Sequence, residues 1–503
     1  MPLLRRGIPL CFALLAAIPL GLVAPVVRAD EVTPPPAPAG SAEAPTKPPS
    51  QPTPPTAVAE PKPPTTGGEF SFGSYGRVIA ASDLRGGSGR QANIVTHGTR
   101  IDESTYAELQ LERRDVYEGD GSSLRPWSKV VATLAIAGPL FHETGQFDAK
   151  LAVRNLYAEA GGMFHKGFTA WAGSRMYRGD DVYLLDWWPL DNLNTVGGGA
   201  RLALDTTSEG ATSLALHAGL GRPLDPFSFQ ARPSTSPTGF GSVDVITLDR
   251  PRLIVSEKLT HLERFEKDGA GLKAVLYAEQ HSIAKGTRTT DTGGKEALPA
   301  ESGGVLGAQL GLFTGRRDTF VNLFIRYATG IAAYGDKTVP TALALDRSTT
   351  GAHEALVALS ANYEAGPFGV LVGGYLRGFK DASGNPYSRN SFNEGTLTVR
   401  PQVWLARYLG VALEGSYQAL AAAGVDDAGN PIRARLWRFG VVPFLTPAGP
   451  GSFTRPHLRL IYAYTARDSG ARSLYAPDDR FARRSDEHFV GIGVEWWFNS
   501  SYR

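Results

Sequence analysis

Cysteine is all but missing from this 503-residue chain: Cys11 is the only one. It lies in a leader-like segment, so the rest of the chain has neither disulfides nor thiol chemistry to draw on. Beyond residue 27 there is also no second run of about 20 apolar residues, which excludes a bundle of membrane helices. Charge of one sign is not in excess, with 51 Lys plus Arg against 49 Asp plus Glu, so no basic field points to nucleic acid as a partner. The nine histidines are scattered, no two at metal-ligand spacing, and no His-Glu-x-x-His occurs. Gly197, Gly198 and Gly199 follow no strand-then-helix pattern that would make a phosphate loop. The expectation is a protein with no metal, no cofactor and no catalytic centre. Apolar side chains are plentiful: 42% of residues are hydrophobic and 10% aromatic, enough to bury a core and to exclude a disordered chain.

Residues 1–29 read as a cleaved export signal. Arg5 and Arg6 precede a largely apolar run from Ile8 to Val27, interrupted by Pro9, Pro19 and Pro25, and Val27 and Ala29 suit a signal-peptidase site. Cleavage would remove three arginines and no acids, leaving 48 basic against 49 acidic residues, a net charge of −1. Residues 30–67 hold 13 prolines, whereas the 436 residues from Gly68 onward hold 19. The first stretch cannot pack a core and reads as a semi-rigid periplasmic linker, either a plain spacer or a tether that contacts the cell wall. Residues 68–503 form the folded domain.

That domain is built from short alternating segments. Ala107, Leu109 and Leu111 make one face against Tyr106, Glu108, Gln110 and Glu112. Leu214, Leu216, Ala218 and Leu220 oppose His217, and Leu458, Leu460, Tyr462 and Tyr464 oppose His457 and Arg459. The last segment sets Val490, Ile492, Val494, Trp496 and Phe498 against Gly491, Gly493, Glu495 and Trp497. A period of two over about ten residues describes a strand whose faces meet two different environments. Two architectures use that pattern, a soluble sandwich and a closed transmembrane barrel. Export, apolar faces that end in aromatics, and the terminal Trp496–Trp497–Phe498 cluster favour the barrel, with an apolar face on lipid and a polar one on a lumen. Dividing 436 residues by 18 gives about 24 per strand and loop, and by 16 about 27; both are compatible with a barrel, so length does not choose the strand number.

Particular residues do choose a family. The run Ala170, Trp171, Ala172, Gly173, Ser174, Arg175, Met176, Tyr177, with Asp181, Val182 and Asp186 beyond it, resembles the maltoporin segment that leads through the constriction loop. Glu103, Ser104, Thr105, Tyr106, Ala107, Glu108, Leu109 resembles the second strand of that family. Arg400–Pro401 with Glu414–Gly415, Arg455–Pro456 with Arg459, and Ser485–Asp486–Glu487 leading into Val494–Glu495–Trp496–Trp497 continue the likeness to the last strand. The resemblance implies an all-β, 18-stranded, transmembrane antiparallel barrel of the bacterial outer membrane, a homotrimer embedded in lipid, with one loop folded inward as a constriction. It also implies passive diffusion of maltodextrin-like oligosaccharides along an aromatic slide flanked by a polar track. The alternative of similar architecture is a general diffusion or ion porin.

A sugar ring has apolar faces and a hydroxyl rim, so aromatic side chains hold the faces while polar groups exchange hydrogen bonds with the rim. Each contact must be weak enough to release its sugar. By resemblance, Tyr75, Tyr106 and Trp497 are slide aromatics, and Arg77, Arg100, Glu108, Arg154, Asp181 and Asp186 are track residues. Tyr183 stands for a histidine of the family, Trp188 for a tyrosine, and Gly179 for a track arginine, with Arg178 adjacent. Arg154 is two residues closer to Trp171 than the family pattern has it. Two further slide aromatics have no clear equivalent, Phe324 and Phe392 being the candidates by face or proximity. Tyr375 and Arg377 repeat the Tyr75 and Arg77 pattern and read as an ordinary lumen pair.

Overall fold

The computed structural model describes residues 65–500 apart from 103–104, 120–122, 139–149, 208–209, 237, 266–268, 315–318, 336–337 and 427–428. The export signal, nearly all of the proline-rich linker, and Glu103 and Ser104 of the second-strand motif lie outside the described residues.

The chain runs through β1 (Thr65–Ser82), β2 (Tyr106–Tyr117), β3 (Trp127–Ala137), β4 (Lys150–Gly161), β5 (Phe168–Arg178), β6 (Asn192–Thr206) and β7 (Gly210–Gly221). A hairpin, β8 (Phe229–Thr235) and β9 (Ser242–Asp249), follows in a connecting loop, then β10 (Arg252–Arg264) and β11 (Gly271–Ile283). A second hairpin, β12 (Gly286–Thr289) and β13 (Lys295–Leu298), precedes β14 (Glu301–Thr314), β15 (Thr319–Thr329), β16 (His353–Ala365) and β17 (Phe368–Lys380). The chain ends with β18 (Phe392–Ala406), β19 (Leu409–Val425), β20 (Pro431–Leu445), β21 (His457–Arg467) and β22 (Asp486–Phe498). Leaving out the two hairpins, the strands form one 18-stranded sheet, each antiparallel to its chain neighbours, and β22 pairs back onto β1 from Ser74↔Phe498 to Ser82↔Val490. Closure leaves no unpaired edge, which is what a lipid environment demands.

The predicted faces hold. Leu109, Leu111, Leu216, Leu220, Leu458 and Ile492 are exposed on the outside, while Glu108, His217 and Glu495 are buried inside. Phe70, Phe72, Tyr363, Phe368 and Phe498 stand on the outer face near the end that carries the short turns, as an interfacial girdle does. Trp496 lies over Gly76, where an added Cβ would come within 2.2 Å of its ring. Connections at that end are as short as residues 366–367, whereas those at the other run to about thirty residues, which marks the short-turn end as periplasmic.

Arg154 stands at an irregularity of β4. Thr133 pairs with Asn155 but Leu134 pairs with Val153, so Arg154 is the extra residue of a β-bulge. The bulge puts Arg154 on the lumen side next to Asn155, resetting the alternation that the sequence pattern assumed.

Two loops enter the lumen, where one was expected. Residues 179–191, between β5 and β6, do so around a 3₁₀ turn at Tyr183–Leu185. Residues 83–102, which follow β1, do so as well. Ala92, Ile94 and Val95 of that loop pack with Val182, Leu185, Trp187 and Leu190 of the other, against Leu356, Tyr375 and Leu436 of the wall. The largest apolar core therefore sits inside the barrel. Phe324 belongs to it at 1% exposure, which removes it as a slide aromatic.

Candidate functional site

An irregular segment can cross a barrel interior only if the wall satisfies its backbone. The wall does so for residues 83–102. The amides of Ile94 and Thr96 donate to Gln418 Oε1 and Glu394 Oε2, both at 2.9 Å, and that of His97 donates to the Tyr375 hydroxyl at 3.1 Å. Asp102 accepts from Arg438 at 3.1 Å. Tyr375 and Arg377, read as an ordinary pair, are thus loop holders: Arg377 bonds Glu354, Glu394 and Thr96. Trp187 stacks on His97 at 4.4 Å and 17°. Burial, helped by the nearby Arg377 and Arg326, pushes the His97 imidazole down to about 3, so it is neutral when docked.

Arg100 rides on the same loop and donates to Tyr75 Oη and, at 3.0 Å, to Glu495. Glu495 also takes Arg455 at 2.9 Å and Arg459 at 3.4 Å. The Tyr183 hydroxyl reaches Glu495 at 3.3 Å, so one carboxylate ties both inward loops to the last strand. Asp186, left-handed at φ 50°, lies 3.8 Å from Arg77 and 3.7 Å from Arg100. Asp181 lies in the same loop beside Asp180, whose carboxylate takes Lys273 at 2.7 Å.

The three expected slide aromatics come together. Tyr75 stacks with Trp497 at 6.4 Å and 17° and lies 6.0 Å from Tyr106, and Trp188 joins the cluster. They do not form an open ladder, because Tyr75 is fully buried and Trp188 nearly so; Tyr106 and Trp497 keep accessible surface. Their edges carry polar groups. Arg154 bonds Tyr106 Oη and, at 2.7 Å, Glu108, and the Arg77 guanidinium sits 5.3 Å from the Tyr106 ring centre. Arg455 lies 3.9 Å over Trp497, and Arg178, the neighbour of Gly179, lies 3.7 Å over Trp188. Phe392 packs with Phe379 beside Arg377, away from this group.

Sequence reasoning missed a second aromatic group. Trp171 and Tyr177 of β5 stack on His217 of β7 at 5.1 and 5.3 Å, both within 10° of parallel, with Tyr157 of β4 edge-on to Trp171. Strand alternation places all four on the lumen face, but only register brings them together. A separate cavity of about 190 Å³ is lined by Trp187, Trp188, Tyr334, Arg326, Glu354 and Arg377 among others. Among the described residues no cluster of His, Cys, Asp or Glu could hold a metal ion.

Fold, faces and lumen define a class: a β-barrel diffusion channel of the outer membrane. Residues 70–498 match the LamB porin family model, and the chain belongs to that family. Among solved structures, the chain is similar to outer-membrane proteins at low identity. Acinetobacter baumannii OccAB1 is 11% identical over 88% of this chain and 99% of its own, with a TM-score of 0.41. Pseudomonas aeruginosa OpdK, solved with vanillate, is 11% identical over 86% and 98%, with a TM-score of 0.37. A loop-deletion mutant of Vibrio cholerae OmpT is 12% identical over 86% and 99%, with a TM-score of 0.34. No curated protein matches the chain.

Proposed function

We propose that this channel carries out facilitated, passive diffusion of oligosaccharides of the maltodextrin type, with no catalytic step. The observation that carries the reading is the joint Tyr106–Trp497 surface. Its two accessible rings flank Tyr75, which touches both, and Arg77, Arg154, Glu108 and Asp186 lie about this group. That combination offers a stacking face and hydrogen-bonding edges at the same height, which is what a sugar presents in complement. Only two of the rings are open, so the slide is short and the affinity it supports is modest, as conduction requires. The trimer, the signal at 1–29 and the spacer role of 30–67 belong to the same proposal and rest on the family pattern and on composition.

The test is single-channel conductance in a planar bilayer, titrated with maltodextrins. Saturable block that weakens in Tyr106→Ala and Trp497→Ala, with ion conductance kept, is the expected result. Equal block in wild type and both variants would remove the slide, and no block by any neutral oligosaccharide would leave a general diffusion porin.

A further inference from the structure

Six cations of the lumen stand in front of the carboxylates they pair with. Lys129, Arg154, Arg175, Lys258, Arg326 and Arg377 keep 14–24% of their side-chain surface, while the carboxylates they pair with, Glu159, Glu108, Asp191, Glu354 and Glu394, keep 0–12%. Lys273 with Asp180 and Arg77 and Arg100 with Asp186 leave the acid the more exposed partner, and Arg438 with Asp102 and Arg467 with Glu487 are buried on both sides. Two carboxylates are each shared by two cations: Glu159 by Lys129 and Arg175, and Glu354 by Arg326 and Arg377.

The second aromatic group fixes part of this surface. The Arg175 guanidinium lies 4.7, 5.2 and 5.9 Å from the rings of Tyr157, Trp171 and Tyr177, and Lys258 Nζ lies 4.6 Å from Tyr177. A cation over a ring face is attracted by the ring quadrupole, so its charge is held on the lumen side instead of folding away. Water in the passage faces cations in front and their counter-charges behind. In a low-dielectric tube such a layout concentrates anions.

We propose that this wall makes the channel anion-selective and that its preferred solute is an anionic saccharide carrying carboxylate or phosphate groups, which guanidinium and ammonium groups bind by charge-assisted hydrogen bonds. The charge selectivity stands on the wall alone; the saccharide part rests on the carbohydrate reading above.

The reversal potential of the full-length channel in a KCl gradient tests the first part. Chloride should permeate over potassium by about threefold at 0.1 M salt, and the ratio should fall as salt rises. The triple variant Lys129→Gln, Arg175→Gln, Lys258→Gln should bring the ratio toward one, whereas Arg113→Gln on the outer face should leave it unchanged. A cation-selective or non-selective wild type overturns the proposal whether or not the variant folds. Block by tetragalacturonate, by a phosphorylated maltose and by neutral maltotetraose tests the second part. Tighter block by either anion supports it and identifies the acidic group. Tightest block by maltotetraose overturns the anionic solute while leaving the carbohydrate reading intact; no block by any of the three overturns both.

Discussion

Replacing Glu495 by glutamine removes one negative charge from beneath three arginines. Arg100, Arg455 and Arg459 approach that carboxylate at 3.0, 2.9 and 3.4 Å, and its side chain is about fully buried. At an effective dielectric of about 20, one contact at 3 Å is a gross attraction of roughly 5 kcal/mol, most of it offset by desolvation. Removing the acid leaves buried cations without their counter-charge, a change that costs about 4 kcal/mol, or about three decades in an equilibrium constant. The strand ladder is untouched, so the loss falls on docking of the segments Glu495 holds: the loop carrying Arg100, the loop carrying Tyr183 and the turn carrying Arg455. Limited proteolysis within residues 83–102 reads the undocked population when reclosing is fast. Glu495→Gln should raise the cleavage rate by at least about a hundredfold and add flicker and larger open levels to the single-channel trace. A cleavage rate and trace matching wild type, in protein that folds, would refute the view that this carboxylate holds the plug.

Acid should loosen the same loop. His97 titrates near 6.5 when exposed but at about 3 when docked, so below pH 6.5 the undocked form gains a proton that the docked form refuses. Docking should then weaken by up to about 1.4 kcal/mol per pH unit until pH 3, with no effect above 6.5. The difference between wild type and His97→Gln in cleavage rate against pH isolates the imidazole, and parallel profiles would refute it. Gly76→Ala should destabilise the barrel by about 1–3 kcal/mol by displacing Trp496, read as a lower urea midpoint in lipid vesicles; an unchanged midpoint would show that the ring moves freely. Deleting residues 30–64, which stops short of β1, should leave conductance unaltered, and its loss would make the segment more than a spacer.

The barrel was legible because lipid and water lie on opposite sides of every strand, and that contrast is written into the chain at a period of two. Leu109 against Glu108 and Leu216 against His217 needed no knowledge of partners. The grouping of Tyr75, Tyr106 and Trp497 was legible only through resemblance, since Trp497 reaches the other two by closure of β22 onto β1. The inward course of residues 83–102 was not legible. Ala92, Ile94 and Val95 follow neither strand nor helix spacing, and the groups that receive their loop, Gln418, Glu394 and Tyr375, lie 324, 298 and 278 positions from the amides they bind. Nor can alternation foresee a bulge, such as the one that turns Arg154 toward Tyr106 and Glu108.

The same residues perform two tasks that pull against each other. Arg100 and Asp186 are track residues by pattern, yet Arg100 is bonded to Tyr75 and Glu495, and Asp186 lies against Arg77 and Arg100. A solute that claims these groups must compete with bonds that hold the inward loops in place. Each such contact would replace an internal one instead of adding to a vacant site, which keeps net affinity low even where the local geometry is good. Occupancy and loop docking are then thermodynamically linked: a solute that binds where Arg100 or Asp186 is engaged loosens the plug, and whatever tightens the plug weakens the solute by the same factor. Tyr106 and Trp497 keep accessible surface but are engaged as well, by Arg77 and Arg154 at Tyr106 and by Arg455 and Tyr183 at Trp497, so the same linkage extends to them.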